Sequence, residues 1–498
     1  MKTTRKHRLL MPGIALIMML TMLFSAAAPA VATDVPEEFA TLTWYLPPPT
    51  GDMSNGPSIL AYVNELIKEK INAHVEFEFI DWGSYQDTMN TMSAAQEPWD
   101  LAMSTSWIFN ITSNVNKGAI LGLNDLLEQY GPDIMARVPS EYWDAVTYRG
   151  EKYAVIDVTT YAALRGASVQ KELAEKYGLT LDAQGSYELR DFEPFLEQIK
   201  ANEPEIIPLM ACAQLFPMFV DKTSDQLTKW LIYDMSDGKI KTAIESPYRL
   251  EHHYGTLFDF YQKGYIAKDA ALKTDYLAEG QSQRYAVFCD GGVVTADGLK
   301  SSTAYGFPCV DVAQTGTVVG TGSIQAAATA IGKNSKNPER AMMLINLLYA
   351  DKYIFNTLCF GLEGQDYEVV SDAGTDNPTV RMNDDMKWAI WHPWIGNLFD
   401  QWPCVNGNTA EALQQMLDGN SNGTISPILG FVFDTEPIKM EISQIDAIWA
   451  DAEPILNTGS APDLDQYIAE TLAKMKDAGL DKVIAETERQ LAEWQASR

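Results

Sequence analysis

The chain is short of cysteine. Its 498 residues hold five, Cys212, Cys289, Cys309, Cys359 and Cys404, and no two are spaced C-x-x-C. That is too few and too scattered for a disulfide framework. An odd count leaves at least one thiol unpaired, and such residues serve readily as small buried hydrophobes. Histidine is scarcer in effect. His74, His252, His253 and His392 follow the N-terminal segment, and none stands in H-E-x-x-H. Adjacent His252 and His253 on a helix point in different directions, so a zinc site is not built there. No G-x-S-x-G elbow occurs, which removes the α/β-hydrolase arrangement. Basic residues are outnumbered, 37 against 67 acidic, for a formal charge of −30. Nucleic acid and anionic lipid surfaces are repelled by such a chain. Beyond residue 32 no segment approaches the ~20 unbroken apolar residues of a spanning helix.

The first 32 residues differ. Lys2, Arg5, Lys6 and Arg8 precede an apolar run from Leu9 to Phe24, then Ser25-Ala26-Ala27-Ala28-Pro29-Ala30-Val31-Ala32. A basic start, an apolar centre and small residues in an A-x-A pattern predict a secretory signal peptide, cleaved after Ala32. The alternative is a retained apolar anchor. Four basic residues and no acidic one lie in that segment, so the remainder carries 33 basic against 67 acidic residues, a charge of −34.

Hydrophobic residues make up 46% and charged residues 21% of the chain, an ordinary folded composition. At roughly 100–200 residues per domain the length predicts two or three domains. Thr41 to Leu46 reads as a strand ending at Pro47-Pro48-Pro49, Ile59 to Lys70 as a helix, and His74 to Ile80 as an alternating strand ending at Asp81-Trp82-Gly83. A helix over Tyr85 to Ala94 and a strand near Asp100 to Ser104 follow. This rhythm predicts an α/β layer fold with a largely parallel sheet. Ligands of such sheets bind beyond the carboxyl ends of the strands. Tyr45, Asp81, Trp82 and Trp107 stand at three successive strand ends. Each aromatic taken singly also suits a core.

A second α/β block is predicted from about Gly166 to Asp311, with helices over Asp191–Asn202 and Tyr248–Lys263. Gly320 to Ile331 reads as a return strand and Pro338 to Tyr349 as a helix. Helical periodicity fills Glu436–Ala450, Leu464–Ala478 and the amphipathic tail Asp481–Trp494. Asp418-Gly-Asn420-Ser-Asn422-Gly423 matches half of a calcium loop, but position twelve is Leu429 where a bidentate Glu belongs, so a polar loop is expected. Gly320-Thr-Gly322-Ser-Ile-Gln325 opens like a dinucleotide turn and lacks its third glycine, which favours a hinge.

Several stretches carry a resemblance. "INAHVEFEFIDWGSYQDTMNTMSAAQEPWDLAMSTSW" (71–107), "GEKYAVIDVTTYAALRGASVQKELAEKYGL" (150–179) and "AIGKNSKNPERAMMLINLLYADK" (330–352) resemble, in order, the first-lobe segment, the crossover and the return segment of extracellular solute-binding proteins of the sugar ABC-importer type, which are maltose-binding-protein-like. "ISPILGFVFDTEPIKMEISQI" (425–445) and "AGLDKVIAETERQLAEWQ" (478–495) resemble a C-terminal domain of a lipoprotein-like branch. Many relatives in Gram-positive bacteria are lipoproteins with a cysteine just after the apolar signal core; here the first cysteine is Cys212, so no N-terminal lipid anchor is expected.

The resemblance implies a two-lobed periplasmic-binding-protein-like fold of type II, with hinge crossings and a helical C-terminal region. The expected parts are a signal peptide at 1–32, a first lobe of 41–155 plus 325–385, and a second lobe of 160–320 plus 390–498. Crossings are expected near Ile156–Tyr161, Gly320–Ser323 and after Asp384, with Gly316, Gly320 and Gly322 absorbing backbone change. The implied role is a monomeric, exported receptor without cofactor, not an enzyme, handing a small solute to permease subunits of an ABC importer. For a sugar, Trp82, Tyr85, Trp107 and Tyr161 are expected to stack, and Asp81, Arg165 and Asp297 to hydrogen-bond. Trp391, Trp394 and Trp402 of "WAIWHPWIGNLFDQWP" are expected to line the cleft with Tyr45. A peptide ligand stays open. So does a secreted glycan hydrolase, because 67 acidic residues make carboxylate pairs unavoidable.

Overall fold

A computed structural model describes residues 35–498, apart from 50, 52, 163–164, 181–183, 186, 214–220, 291–297, 315–316, 385–386 and 391–393. The expected signal segment lies outside the described residues. Strands β1 (Ala40–Leu46), β2 (Ala73–Phe79), β3 (Leu101–Met103), β4 (Val155–Ile156), β5 (Arg165–Gln170), β6 (Gln184–Gly185), β7 (Ile207–Leu209), β8 (Ser224–Gln226), β9 (Leu231–Asp234), β10 (Lys239–Thr242), β11 (Tyr285–Asp290), β12 (Cys309–Gln314) and β13 (Ala328–Ile331) build three sheets.

The first sheet runs β2-β1-β3-β13-β4. β1 is parallel to both neighbours, with Trp44 opposite Phe77 and Leu101. β13 returns antiparallel between β3 and β4. Leu42, Trp44 and Leu46 alternate into one face of β1 and are buried, the period-two pattern of a strand. The helix α1 (Gly56–Ile71) sets Ile59, Val63, Ile67 and Ile71 against that core. Residues four apart share a helix face, so this stripe needs no other cause. Asn72 ends α1 at φ 48°, and β2 starts at the next residue. The helices α2 (Trp82–Ala94) and α3 (Pro338–Ala350) complete the layer; Tyr85 and Met89 of α2 and Leu344, Ile345 and Leu348 of α3 enter the same core.

The second sheet runs β6-β12-β5-β11-β7. β5 is antiparallel to both β11 and β12, so this sheet is mixed rather than largely parallel. Its own core holds Ala167, Val169, Phe192, Leu196, Phe260, Val287 and Val312. Two sheets with two cores make the two lobes. The third sheet, β8-β9-β10, packs with the helices α4 (Lys439–Thr458), α5 (Leu464–Asp477) and α6 (Leu480–Ala496) through Trp230, Leu231, Ile240, Ile445, Trp449, Met475 and Val483.

The chain passes between the two main sheets from β4 to β5 and from β12 to β13. Gly320 to Ile331, expected as one strand, is a short helix (Thr321–Ile324) followed by β13. A third passage differs from the expected one. Ile390 and Ile395 lie in the first core, and Asp400 meets Arg137 at 2.6 Å and Lys352 at 3.1 Å on that side. Ile390 and the chain from 394 to 404 therefore belong with the first lobe, not the second. It leaves further on, where Thr424–Ile425 pairs in parallel with Val318–Val319. The would-be calcium loop is not a loop: Asp418, Asn420 and Ser421 lie in the helix Ala410–Ser421.

The four cysteines with described side chains, Cys212, Cys309, Cys359 and Cys404, are buried. Burial pushes the Cys359 thiol well up. Among the described residues no helix is long and apolar enough to cross a membrane.

Candidate functional site

Trp82 is the first residue of α2, three positions past the end of β2. Trp107 follows β3 on a turn stiffened by its own side chains. Ser104 Oγ donates to the Phe109 carbonyl at 2.6 Å, and Thr105 Oγ1 accepts the backbone N–H groups of Trp107 and Ile108 at 3.2 and 3.0 Å. The two indoles stack, with centroids 5.6 Å apart and planes 25° apart. Trp394 closes the group, 5.7 Å from Trp82 at 63° and 5.5 Å from Trp107 at 56°. Trp82 remains 41% exposed and Trp107 48% exposed. Large aromatics are ordinarily drawn into cores; here Trp394 is partly buried against the first core, while Trp82 and Trp107 stand largely open beside it.

This platform touches the second passage. Trp107 Nε1 donates to the Ala326 carbonyl at 2.9 Å, and Ser106 Oγ donates to the Gly322 carbonyl at 3.0 Å. Asp81 lies beside it. Its carbonyl accepts the N–H groups of Ser84 and Tyr85, while its exposed carboxylate caps nothing in the helix. An apolar aromatic face suits a ring that has CH on one side and hydroxyls at its edge.

Other expected site residues sit elsewhere. Tyr85 is fully buried, and its hydroxyl donates to the carbonyls of Tyr45 and Met103, both at 3.0 Å. Tyr161 is 2% exposed, edge-on to Tyr142 at 4.9 Å. Trp402 is buried with Phe360, Tyr367, Val380 and Cys404 behind the hairpin Tyr367–Ser371/Thr379–Met382. All three are core residues, so their assignment to the ligand surface is corrected. Tyr45 is half-buried against the first core. Burial, then the charges of Glu78, Glu97, Glu76 and Asp100, raise its phenol pKa. Asp297 and Trp391 lie outside the described residues, as does the side chain of Arg165.

Sequence reasoning missed the residues that bind the passages to one another. Asn420 Nδ2 donates to the Thr159 carbonyl at 2.7 Å, and its Oδ1 accepts Ala162 N–H at 3.1 Å. A Cβ on Gly423 would sit 2.7 Å from both Ala162 Cβ and Val319 Cγ2, so only glycine lets the three segments meet. A Cβ on Gly320 would sit 2.2 Å from Asp225 Oδ1. Asp225 is buried, its carboxyl pushed up by desolvation and held down in part by Ser426. Asn420 did stand inside a motif weighed for calcium; the signal was real and its chemistry was hydrogen bonding. An open groove of about 930 Å³ lies on the second lobe, between Arg190, Glu193, Lys200, Lys263 and Tyr265. None of the platform residues lines it, and three of its charged groups are paired with one another, Glu193 meeting both Lys263 and Arg190. Among the described residues no group of three or more His, Cys, Asp or Glu is arranged to hold a metal ion.

The family model described as a domain of unknown function (DUF3502) matches residues 427–496. A carbohydrate ABC transporter substrate-binding protein of Streptococcus pneumoniae serotype 4 is 29% identical over 453 residues, 88% of each chain. The crystal structure of the N-glycan transport solute-binding protein NgtS of the same species shares 27% identity, covers 92% of this chain and 99% of its own, and superposes with a TM-score of 0.78. The NgtS complex with Man5GlcNAc, at 26% identity over 93% and 99%, superposes with a TM-score of 0.65. In the order of its segments and in its two-lobed fold, the chain is similar to solute-binding proteins of the sugar ABC-importer type.

Proposed function

We propose that this chain captures an oligosaccharide on Trp82, Trp107 and Trp394 and delivers it, unaltered, to the permease of an ABC importer outside the membrane. The observation that carries the reading is the convergence of two open indoles, Trp82 and Trp107, with the partly buried Trp394 beyond the carboxyl ends of the parallel strands β2, β1 and β3, where ligands of such folds bind. Sugar rings offer flat CH faces to aromatic rings, and closure of two lobes excludes water from the hydroxyls. A hydroxyl left unpaired there would cost about 1–3 kcal/mol, so polar groups must converge as the lobes close. Asp81 is the first of these. The two NgtS structures fit a change of shape with occupancy. They are one protein in two forms, and this chain superposes better on the form named without a glycan, 0.78 against 0.65. Hinge closure of this kind turns occupancy into a shape that a membrane partner reads.

The test is calorimetry and small-angle scattering with a panel of oligosaccharides that includes Man5GlcNAc, beside short peptides. Binding of an oligosaccharide with a reduced radius of gyration, and its recovery intact by chromatography, is the expected result. Binding confined to peptides, or released reducing ends, would overturn it.

A further inference from the structure

The platform's third indole stands on a short 3-10 turn. Trp394 stands four residues before the short helix Leu398–Asp400, and what fixes that stretch is the first passage. The Gly396 carbonyl accepts Val158 N–H at 2.8 Å, and Leu398 N–H donates to the Val158 carbonyl at 2.8 Å. Gly396 N–H donates to Asp157 Oδ1 at 2.9 Å. Gly396 has φ 59°, and a Cβ there would lie 3.1 Å from the Phe355 ring, so this residue is held in one backbone shape. Asp157 is 1% exposed, and its other oxygen, Oδ2, accepts from Thr329 Oγ1 of β13 at 2.9 Å. Its neighbours are tied down as well. Tyr349 Oη donates to the Ile156 carbonyl at 2.5 Å, and Tyr161 Oη donates to the Asp157 carbonyl at 3.3 Å. One carboxyl thus joins the start of the first passage, the strand that ends the second, and the stretch that carries Trp394.

We propose that Asp157 is the positioning residue of the binding platform: through Gly396 it sets where the Trp394 indole stands against Trp82 and Trp107. The bond it makes at Gly396 lies two residues from that indole. A buried carboxyl group is a poor choice for packing alone, since it must find partners for both oxygens. Here the partners come from two separate segments, which an apolar side chain could not tie. The phenols facing it, Tyr161 and Tyr349, are themselves pushed well up by burial and stay neutral. The platform's role in capture rests on the function proposed above; its geometry does not.

The test needs no ligand, so its failure is separate from a failure of sugar capture. Closely packed indoles couple their transitions and give a circular-dichroism couplet. Trp394→Phe in the full chain defines the share of that couplet due to Trp394. Asp157→Ala is expected to lose most of that share while the far-ultraviolet helical signal is kept. Asp157→Asn, which retains an acceptor for Gly396 and a partner for Thr329, is expected to restore it. A folded Asp157→Ala protein with the full couplet would overturn the proposal. If Asp157→Ala does not fold, Thr329→Val decides. It removes one donor from the carboxyl, and an unchanged couplet overturns the proposal where a reduced one supports it.

Discussion

Replacing Trp82 by alanine separates a binding surface from a core. The indole is 41% exposed and meets Trp107 and Trp394 at 5.6 and 5.7 Å. Truncating a fully buried Trp costs about 3–5 kcal/mol of stability, so a residue with some two-fifths of its surface in water is expected to cost about 2–3. On binding, the lost stacking face is a hot-spot truncation of about 2–4 kcal/mol, at least a thirty-fold loss of affinity. Trp402→Ala supplies the reference. At 4% exposure it should lose the full stability increment and leave the affinity of the folded protein unchanged. Urea unfolding gives the first quantity and calorimetry with the tightest oligosaccharide of the panel gives the second. The reasoning fails if Trp82→Ala loses as much stability as Trp402→Ala and still binds at full strength.

Other expectations concern the passages and the core. Asn420→Ala removes two hydrogen bonds from the first passage and should lower unfolding free energy by about 1–3 kcal/mol, read by urea titration. Desolvation raises the Asp157 pKa well above its ordinary value. The stability this group contributes is present below the ordinary carboxylate range, about pH 4, and is lost as pH rises through the raised value. Asp157→Asn does not titrate, so its unfolding midpoint should gain on that of the unaltered protein as pH is raised from 4 to 8; a constant difference would show that the group ionises freely. Cys359 is buried with its thiol pushed up, and peptide mapping after alkylation at pH 8 should find it unlabelled until urea unfolds the first lobe.

The alternation of β1 and β2 and the apolar spacing of α1 placed the first layer to within a few residues. The edge where Trp82 and Trp107 meet was legible too, because a strand end is a place in the chain. The phase of a side chain is less so. Trp82, Tyr85 and Met89 fall on one helical face, yet only Trp82 is open. At ~1.5 Å rise per residue, Tyr85 stands about 4.5 Å further along and sits over the sheet, while Trp82 overhangs its edge. Trp402 misled for another reason. Its cover is a hairpin whose strand Tyr367–Ser371 runs into Asp372-Ala-Gly374-Thr-Asp376, a polar stretch that gives no hint of an apolar pocket beneath. Asn420 and Gly423 could not be read as crossing residues at all, because their partners lie some 260 and 100 residues away.

The third sheet's dependence on the C-terminal helices has a consequence for how the chain is made. Trp230 Nε1 donates to Asp446 at 2.8 Å, and Gly459 lies against the Leu257 carbonyl where a Cβ would come to 2.1 Å. The halves of that core are roughly two hundred residues apart in synthesis order. At about 5–20 residues per second, Trp230, Leu231 and Ile240 wait ten seconds or more for Ile445, Trp449 and Met475 to be made. During that wait an apolar face has no native cover, and anything that holds it open keeps the chain threadable. Ribosome-bound chains cut at residue 426 should therefore engage a holding chaperone, while chains extended to residue 498 should release it.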